Sequence, residues 1–202
     1  FADGQSGVGI GLALIDTTGP IINLVTPINN SGQPNTNVTF VYNVSDASNV
    51  DNCSLLINDK VNATNKVITK DTNMNFRVEN ISTGFYAWSI NCTDSLNNNG
   101  SSARNSFSVV LMSKFNLSHF NISLFDMRNI SNFALAPQNR CESINFTENV
   151  SLNAGFDLDR NVNMSFNRVE INSTALATLN KSARIKLCDL TFSNPRIVRD
   201  DD

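Results

Sequence analysis

Apolar and polar residues alternate in short runs along most of this chain, with Gly, Pro and Asn clusters between the runs. No segment keeps an apolar stripe at helical spacing over three turns. That pattern predicts an all-β fold. Val38, Phe40, Tyr42 and Val44 alternate with Asn37, Thr39, Val41 and Asn43. The next run places Cys53, Leu55 and Ile57 inward and Asn52, Ser54 and Asn58 outward, and later Tyr86, Trp88, Ile90 and Cys92 share a face opposite Ala87, Ser89 and Asn91. Residues 97–100, Asn-Asn-Asn-Gly, read as a turn. From about Lys114 a second set of strands follows: Phe120, Ile122 and Leu124; Ile144 and Phe146; Val150 and Leu152; Val162, Met164 and Phe166; Val169 and Ile171; Ile185 and Leu187. Short helical turns are expected at residues 131–136 and 174–180, where Ala and Leu cluster. At the other end, Val8, Ile10, Leu12 and Leu14 occupy one face and Gly or Ala the opposite one. The expected architecture is an N-terminal extended strand (1–15) followed by two consecutive β-sandwich domains, 16–112 and 113–202.

The cysteines refine this division. Cys53, Cys92, Cys141 and Cys188 contain no CxxC pair, and with His119 as the single histidine they do not make a zinc site of ordinary spacing. Two fall in each half, so Cys53–Cys92 and Cys141–Cys188 disulfides are expected, one per domain. The alternation points Cys53 and Cys92 inward, where they are expected to join across the sandwich beside Trp88.

The polar positions carry the most specific signal. Asn-x-Ser/Thr triplets begin at Asn29, Asn37, Asn43, Asn52, Asn62, Asn80, Asn91, Asn99, Asn116, Asn121, Asn129, Asn145, Asn149, Asn163, Asn172 and Asn180, none with Pro in the middle. These sixteen compare with about six expected from composition alone. Strand alternation also repeats polar residues at i and i+2, but it has no preferred direction. The reversed triplet, Ser/Thr-x-Asn, occurs only seven times. The directional excess therefore points to N-glycan acceptors on an exported protein. Twelve of the triplets have an apolar middle residue, which turns the Asn and its hydroxyl partner to the solvent face.

Charge excludes several classes. Lys and Arg number 15 against 18 Asp and Glu, scattered along the chain, so there is no basic field for nucleic acid. The longest apolar run, residues 8–15, is too short for a membrane helix, so no transmembrane segment is expected. The chain opens on Phe1 with no basic leader, as expected of a processed or excised piece. Gly7, Gly9 and Gly11 do not put a third glycine at the place a nucleotide loop requires, and no Lys-Ser/Thr follows them. His119 has no nucleophile motif to serve. Asp157 and Asp159 are the nearest pair of acids for glycoside chemistry, yet they fall in a segment that reads as a turn. No enzyme and no cofactor are expected. Asp46, Asp51 and Asp94 lie in loops that could meet at one end of a sandwich, which makes them weak calcium candidates beside the plainer role of turn formers.

Residues Asp16-Thr17-Thr18-Gly19-Pro20, Ile22-Asn23-Leu24 and Pro27 open the first unit. Val38-Thr39-Phe40, Val44-Ser45-Asp46, Asn52-Cys53-Ser54-Leu55 and the run from Trp88 through Asp94 follow. Together they resemble the immunoglobulin-like domains of archaeal and some bacterial cell-surface proteins. The stretch from Leu179 to Ala183 and on through Leu190-Thr191-Phe192 to Ile197 is similar to a β-rich module of archaeal surface proteins. The resemblance implies an exported, glycosylated, structural protein with no catalytic residues to carry over. It also implies a second module that is incomplete alone, because that family continues into further strands. The resulting expectation is an extracellular subunit that polymerises with copies of itself into a surface filament by donor-strand exchange. Val8, Ile10, Leu12 and Leu14 form the contact strand, and N-linked glycans cover the rest. The alternative is an S-layer or adhesin-type surface protein that binds cells or carbohydrate.

Overall fold

In the computed structural model the described residues are 16–116, 121–165 and 168–188. The predicted N-terminal strand, with Val8, Ile10, Leu12 and Leu14, lies outside them, as does His119. The first unit contains β1 (Ile21–Thr26), β2 (Ser31–Gln33), β3 (Val38–Ser45), β4 (Val50–Ile57), β5 (Lys60–Asn65), β6 (Asn73–Val78), β7 (Gly84–Asp94), β8 (Asn99–Ser101) and β9 (Asn105–Val109). One sheet has the order β1-β3-β6, the other β2-β9-β7-β4-β5, and β8 pairs with β7. Every pairing is antiparallel except β2 with β9. Two facing sheets with this crossed order form an immunoglobulin-like sandwich.

Alternation builds its core as expected. Val38, Phe40, Tyr42 and Val44 of β3 and Leu55, Trp88 and Ile90 of the facing sheet are all 0–1% exposed. The Phe40 ring meets Trp88 edge-on at 5.2 Å and Phe107 at 5.4 Å, the geometry aromatic quadrupoles favour. The Trp88 indole N–H donates to the Pro27 carbonyl at 3.2 Å, which satisfies the one polar group it carries inside. Tyr42 stacks on Phe76 at 5.7 Å, and burial pushes its phenol up to about 12.

The second unit holds β10 (Ala134–Leu135), β11 (Ser143–Phe146), β12 (Val162–Ser165), β13 (Arg168–Ile171) and β14 (Ala183–Lys186). Its sheet has the order β10-β11-β14, and β12 and β13 pair antiparallel. Phe133, Ile144 and Phe146 share one apolar core with Val162 and Met164. The two cores part between Val109, which packs in the first, and Val110, which packs in the second. The units are in contact: the Met127 N–H donates to the Asn30 carbonyl at 2.8 Å and the Ser108 hydroxyl to the Asn153 carbonyl at 2.6 Å.

Several local expectations change: Ala87, expected on the outward face, is buried, and the segment read as a turn around Asp157 and Asp159 contains a helix, Leu158–Asn161. Ile122–Leu124 is a 3-10 turn rather than part of a strand, with the Asn121 side chain accepting from the Ser123 N–H. Residues 131–136 contain β10 in place of a helical turn, whereas 174–180 does contain a 3-10 turn, Ala177–Leu179. Both disulfides join the expected partners. Cys53 and Cys92, however, do not bridge the sandwich. They sit directly opposite each other on β4 and β7 within one sheet, Cα atoms 4.1 Å apart. Alternation assigns a cysteine to a face but does not say which strand lies beside it, and facing sheets are about 10 Å apart.

Candidate functional site

Fourteen of the sixteen acceptor asparagines are exposed and the other two, Asn43 and Asn52, are half-exposed. Of the twelve apolar middle residues, ten are buried, Ala63 is half-buried, and Leu117 lies outside the described residues. The cause is the two-residue period: burying the middle side chain in the core turns both flanking residues to solvent.

The acceptors are densest on the outer face of the six-stranded sheet. Thr64, Ser54, Asn91 and Ser101 form one row across β5, β4, β7 and β8, because Ser54 pairs with both Thr64 and Asn91, and Asn91 pairs with Ser101. In the adjoining row Asn52 pairs with Thr93, and Thr93 with Asn99. Each acceptor asparagine thus stands opposite a neighbouring triplet's hydroxyl residue. Thr93 donates its hydroxyl to the Asn99 side-chain carbonyl at 2.8 Å, and the Ser54 and Thr64 hydroxyls bond at 2.8 Å. The Cys53–Cys92 disulfide joins the middle residues of two of these triplets and holds their register. Asn91 is a diagonal neighbour of both Asn52 and Asn99, a separation of about 7–8 Å in an antiparallel sheet.

A second cluster lies at one end of the sandwich. Asp16, Asp46 and Asp94 bring one carboxylate oxygen each to within 4.8 Å of one another. Two of these are among the sequence candidates. The third is Asp16 rather than Asp51, which lies exposed on β4 away from the group. Donation from the Thr18 hydroxyl and N–H, then from the Ser48 hydroxyl, holds the Asp16 carboxyl well below the usual carboxylate range. Asp46 moves the opposite way. Burial raises it first, followed by the hydrogen bond it shares with Asp16 and the charges of Asp16 and Asp94. Asp94, 0% exposed, accepts from the N–H groups of Leu96 and Asn98 and from the Asn98 amide. The Lys70 ammonium donates to the carbonyls of Asp46 and Ser48 at 2.9 and 2.7 Å. Three carboxylates have the donor chemistry for a hard cation. Here their oxygens are committed to the turns 16–18, 46–48 and 94–98, and the cluster ties the chain entering β1 to two loops of the sandwich. The local Asp-Thr-Thr turn at 16–18 is a visible sequence signal for Asp16 as a turn former, but its meeting with Asp46 depends on tertiary packing.

The acidic pair considered for glycoside chemistry is also structural. Asp157 caps α1 (Leu158–Asn161) by accepting from the Arg160 N–H. Asp159 accepts from the N–H groups of Ser113 and Lys114 and from the Ser113 hydroxyl, which pins the segment leading into the second unit.

No protein-family model and no curated protein sequence matches the chain. Among solved structures it is similar to the fibronectin(III)-like modules of Clostridium thermocellum CbhA, at 10% identity and TM-score 0.41, covering 46% of this chain and 98% of that one. It is also similar to an endo-beta-1,4-mannanase from Thermotoga petrophila (12% identity, TM-score 0.36, 48% of this chain and 21% of that one). A third similarity is to a Jonesia denitrificans lytic polysaccharide monooxygenase (14% identity, TM-score 0.32, 41% and 58%). None of the three reaches a likeness that bears on activity. The fold assignment rests on the sheet order itself. No described helix is long and apolar enough to cross a membrane.

Proposed function

We propose that this chain is a non-catalytic, heavily N-glycosylated extracellular structural protein and a subunit of a surface filament. The observation that carries the proposal is the placement of the sixteen acceptor asparagines, none of them buried, in a chain with twice as many acceptor triplets as reversed ones. On β4, β7 and β8 the spacing is tight enough for attached glycans to crowd one another and cover that face. The two disulfides fit an oxidising compartment.

Filament assembly rests on what the acceptors leave bare. Among the described residues β1 is an edge strand hydrogen-bonded to β3 alone, and it carries no acceptor triplet and no charged residue. Its Ile21 and Val25 side chains are 67% and 41% exposed. An uncharged apolar edge is a template for a further strand. The β6 edge, in contrast, turns Asn73, Asn75 and Arg77 to solvent. Residues 8–14, also free of acceptor triplets, have the alternation of a strand able to add to a neighbouring copy. Electron microscopy of the native material is the test. Filaments are the expected result, continuous sheets would favour the S-layer alternative, and isolated particles would overturn the assembly reading.

A further inference from the structure

An acceptor triplet is read at two places, the asparagine carboxamide and the hydroxyl two residues on, so both must be reachable for modification. In fourteen of the fifteen triplets whose hydroxyl residue lies among the described residues, that residue is exposed or half-exposed. Ser31, the partner of Asn29, is the exception. It is 0% exposed, and its hydroxyl has no hydrogen-bond partner among the described residues.

The reason lies in β2. Ser31 pairs with Phe107 and Gly32 with Ser108 in the parallel ladder, and paired residues share a face. Phe107 packs in the core of the first sandwich, so Ser31 points inward with it. The opposite face of β2 is closed by the second unit: a Cβ at Gly32 would lie 2.8 Å from the Met127 sulfur and 2.9 Å from the Ile122 side chain. The turn before β2 is fixed as well. The Ser31 N–H donates to the Ile28 carbonyl at 3.1 Å, and the Asn30 N–H donates to the Ser106 carbonyl at 2.7 Å. Asn30 holds a φ of 63° between them. The Asn29 carboxamide itself stays exposed, with its oxygen accepting from the Ser106 N–H at 2.9 Å. A glycan on its nitrogen is therefore compatible with the folded chain, although the hydroxyl needed to place it there is not accessible.

We propose that Asn29 is a modification site open only in the unfolded chain: its glycan is added before β2 seats in the first sandwich, and folding closes the acceptor. This inference rests on the glycoprotein reading. It makes Asn29 the position whose occupancy separates glycosylation of the emerging chain from glycosylation of the folded protein.

The experiment uses unglycosylated full-length chain, once folded with both disulfides formed and once reduced, alkylated and unfolded. Each sample is incubated with membranes that hold an oligosaccharyltransferase and its lipid-linked sugar donor, and acceptors are mapped by peptide mass spectrometry. Asn62, whose Thr64 partner is exposed, is the internal reference. Asn29 is expected to be modified about tenfold or more slowly than Asn62 in the folded chain, because it waits on local opening of β2. In the unfolded chain the two are expected to be modified at comparable rates. Equal rates in the folded chain would overturn the proposal, and so would a chain in which Asn29 stays unmodified even when unfolded. Neither result depends on whether the native protein carries glycan, so failure here and failure of the glycoprotein reading are separate outcomes.

Discussion

Deleting residues 7–14 is expected to convert filaments into soluble monomers that retain the two folded units, and adding the deleted segment back as a peptide is expected to occupy the site that receives it. The segment places Val8, Ile10, Leu12 and Leu14 on one face with Gly or Ala opposite, so it presents one apolar edge and a small-residue back that a neighbouring sheet can approach closely. A strand of this kind left free is an aggregation hazard, and burial in a second copy removes it. Addition of this segment to the β1 edge of a neighbouring copy joins two different surfaces, a heterologous contact of the kind that propagates. If the segment is housed in a second copy, its loss leaves the melting of the two cores formed by the described residues unchanged, whereas a fall in their midpoint would place it in its own chain. Filaments that still form from the deleted chain with unchanged stability would refute strand donation. The Ile21→Lys variant tests the receiving edge separately, because a charge placed on β1 blunts strand pairing without entering the core.

The second large effect is expected from the Cys53→Ser/Cys92→Ser double variant. The disulfide closes a separation of 39 residues, and both cysteines are 0–1% exposed beside Leu55, Trp88 and Ile90. Its removal releases chain entropy in the unfolded state and leaves two hydroxyls in an apolar core, a loss of about 2–5 kcal/mol. For a domain near 100 residues this corresponds to a fall in melting midpoint of roughly 10–25 °C. Trp88 fluorescence reports the transition, since the indole is in the same core. The Cys141→Ser/Cys188→Ser variant should leave that signal much less affected, because Cys141 is exposed and the bridge lies within the second unit. A shift of the Trp88 transition below a few degrees in the first variant would show that the bridge is dispensable.

What the sequence made legible follows from which forces are local. The runs at 38–44 and 88–92 carry apolar alternations because each strand packs one face on a single core, so period, face and burial agree; the run departs at 86–87, where Ala87 is buried and Tyr86 half-buried. Asn43 and Asn91 were legible for the same reason, being the polar phase of those strands, and the other acceptors by their triplet alone. Shorter runs carried less. Phe120, Ile122 and Leu124 alternate, but Ile122 is 1% exposed and Leu124 70%, because a capped 3-10 turn buries a single side chain. Three residues do not separate the two periods. Contacts between distant segments left no local trace. Alternation aimed Cys53 and Cys92 inward without revealing that β4 and β7 are neighbours. Asp16 meets Asp46 and Asp94 only after β1, β3 and β7 assemble. Nothing in the residues around Ser31 shows that the parallel pairing of β2 with β9 turns it into the core.

The central claim, that the outward asparagines carry glycan, is tested most directly by the intact mass of the native protein before and after chemical removal of sugars. The bare chain weighs 22.1 kDa. The account predicts a heterogeneous mass several kilodaltons above this, collapsing to the bare value on deglycosylation, with attachment mapped to most of the sixteen acceptor positions. A native mass within a few hundred daltons of the bare chain would contradict it.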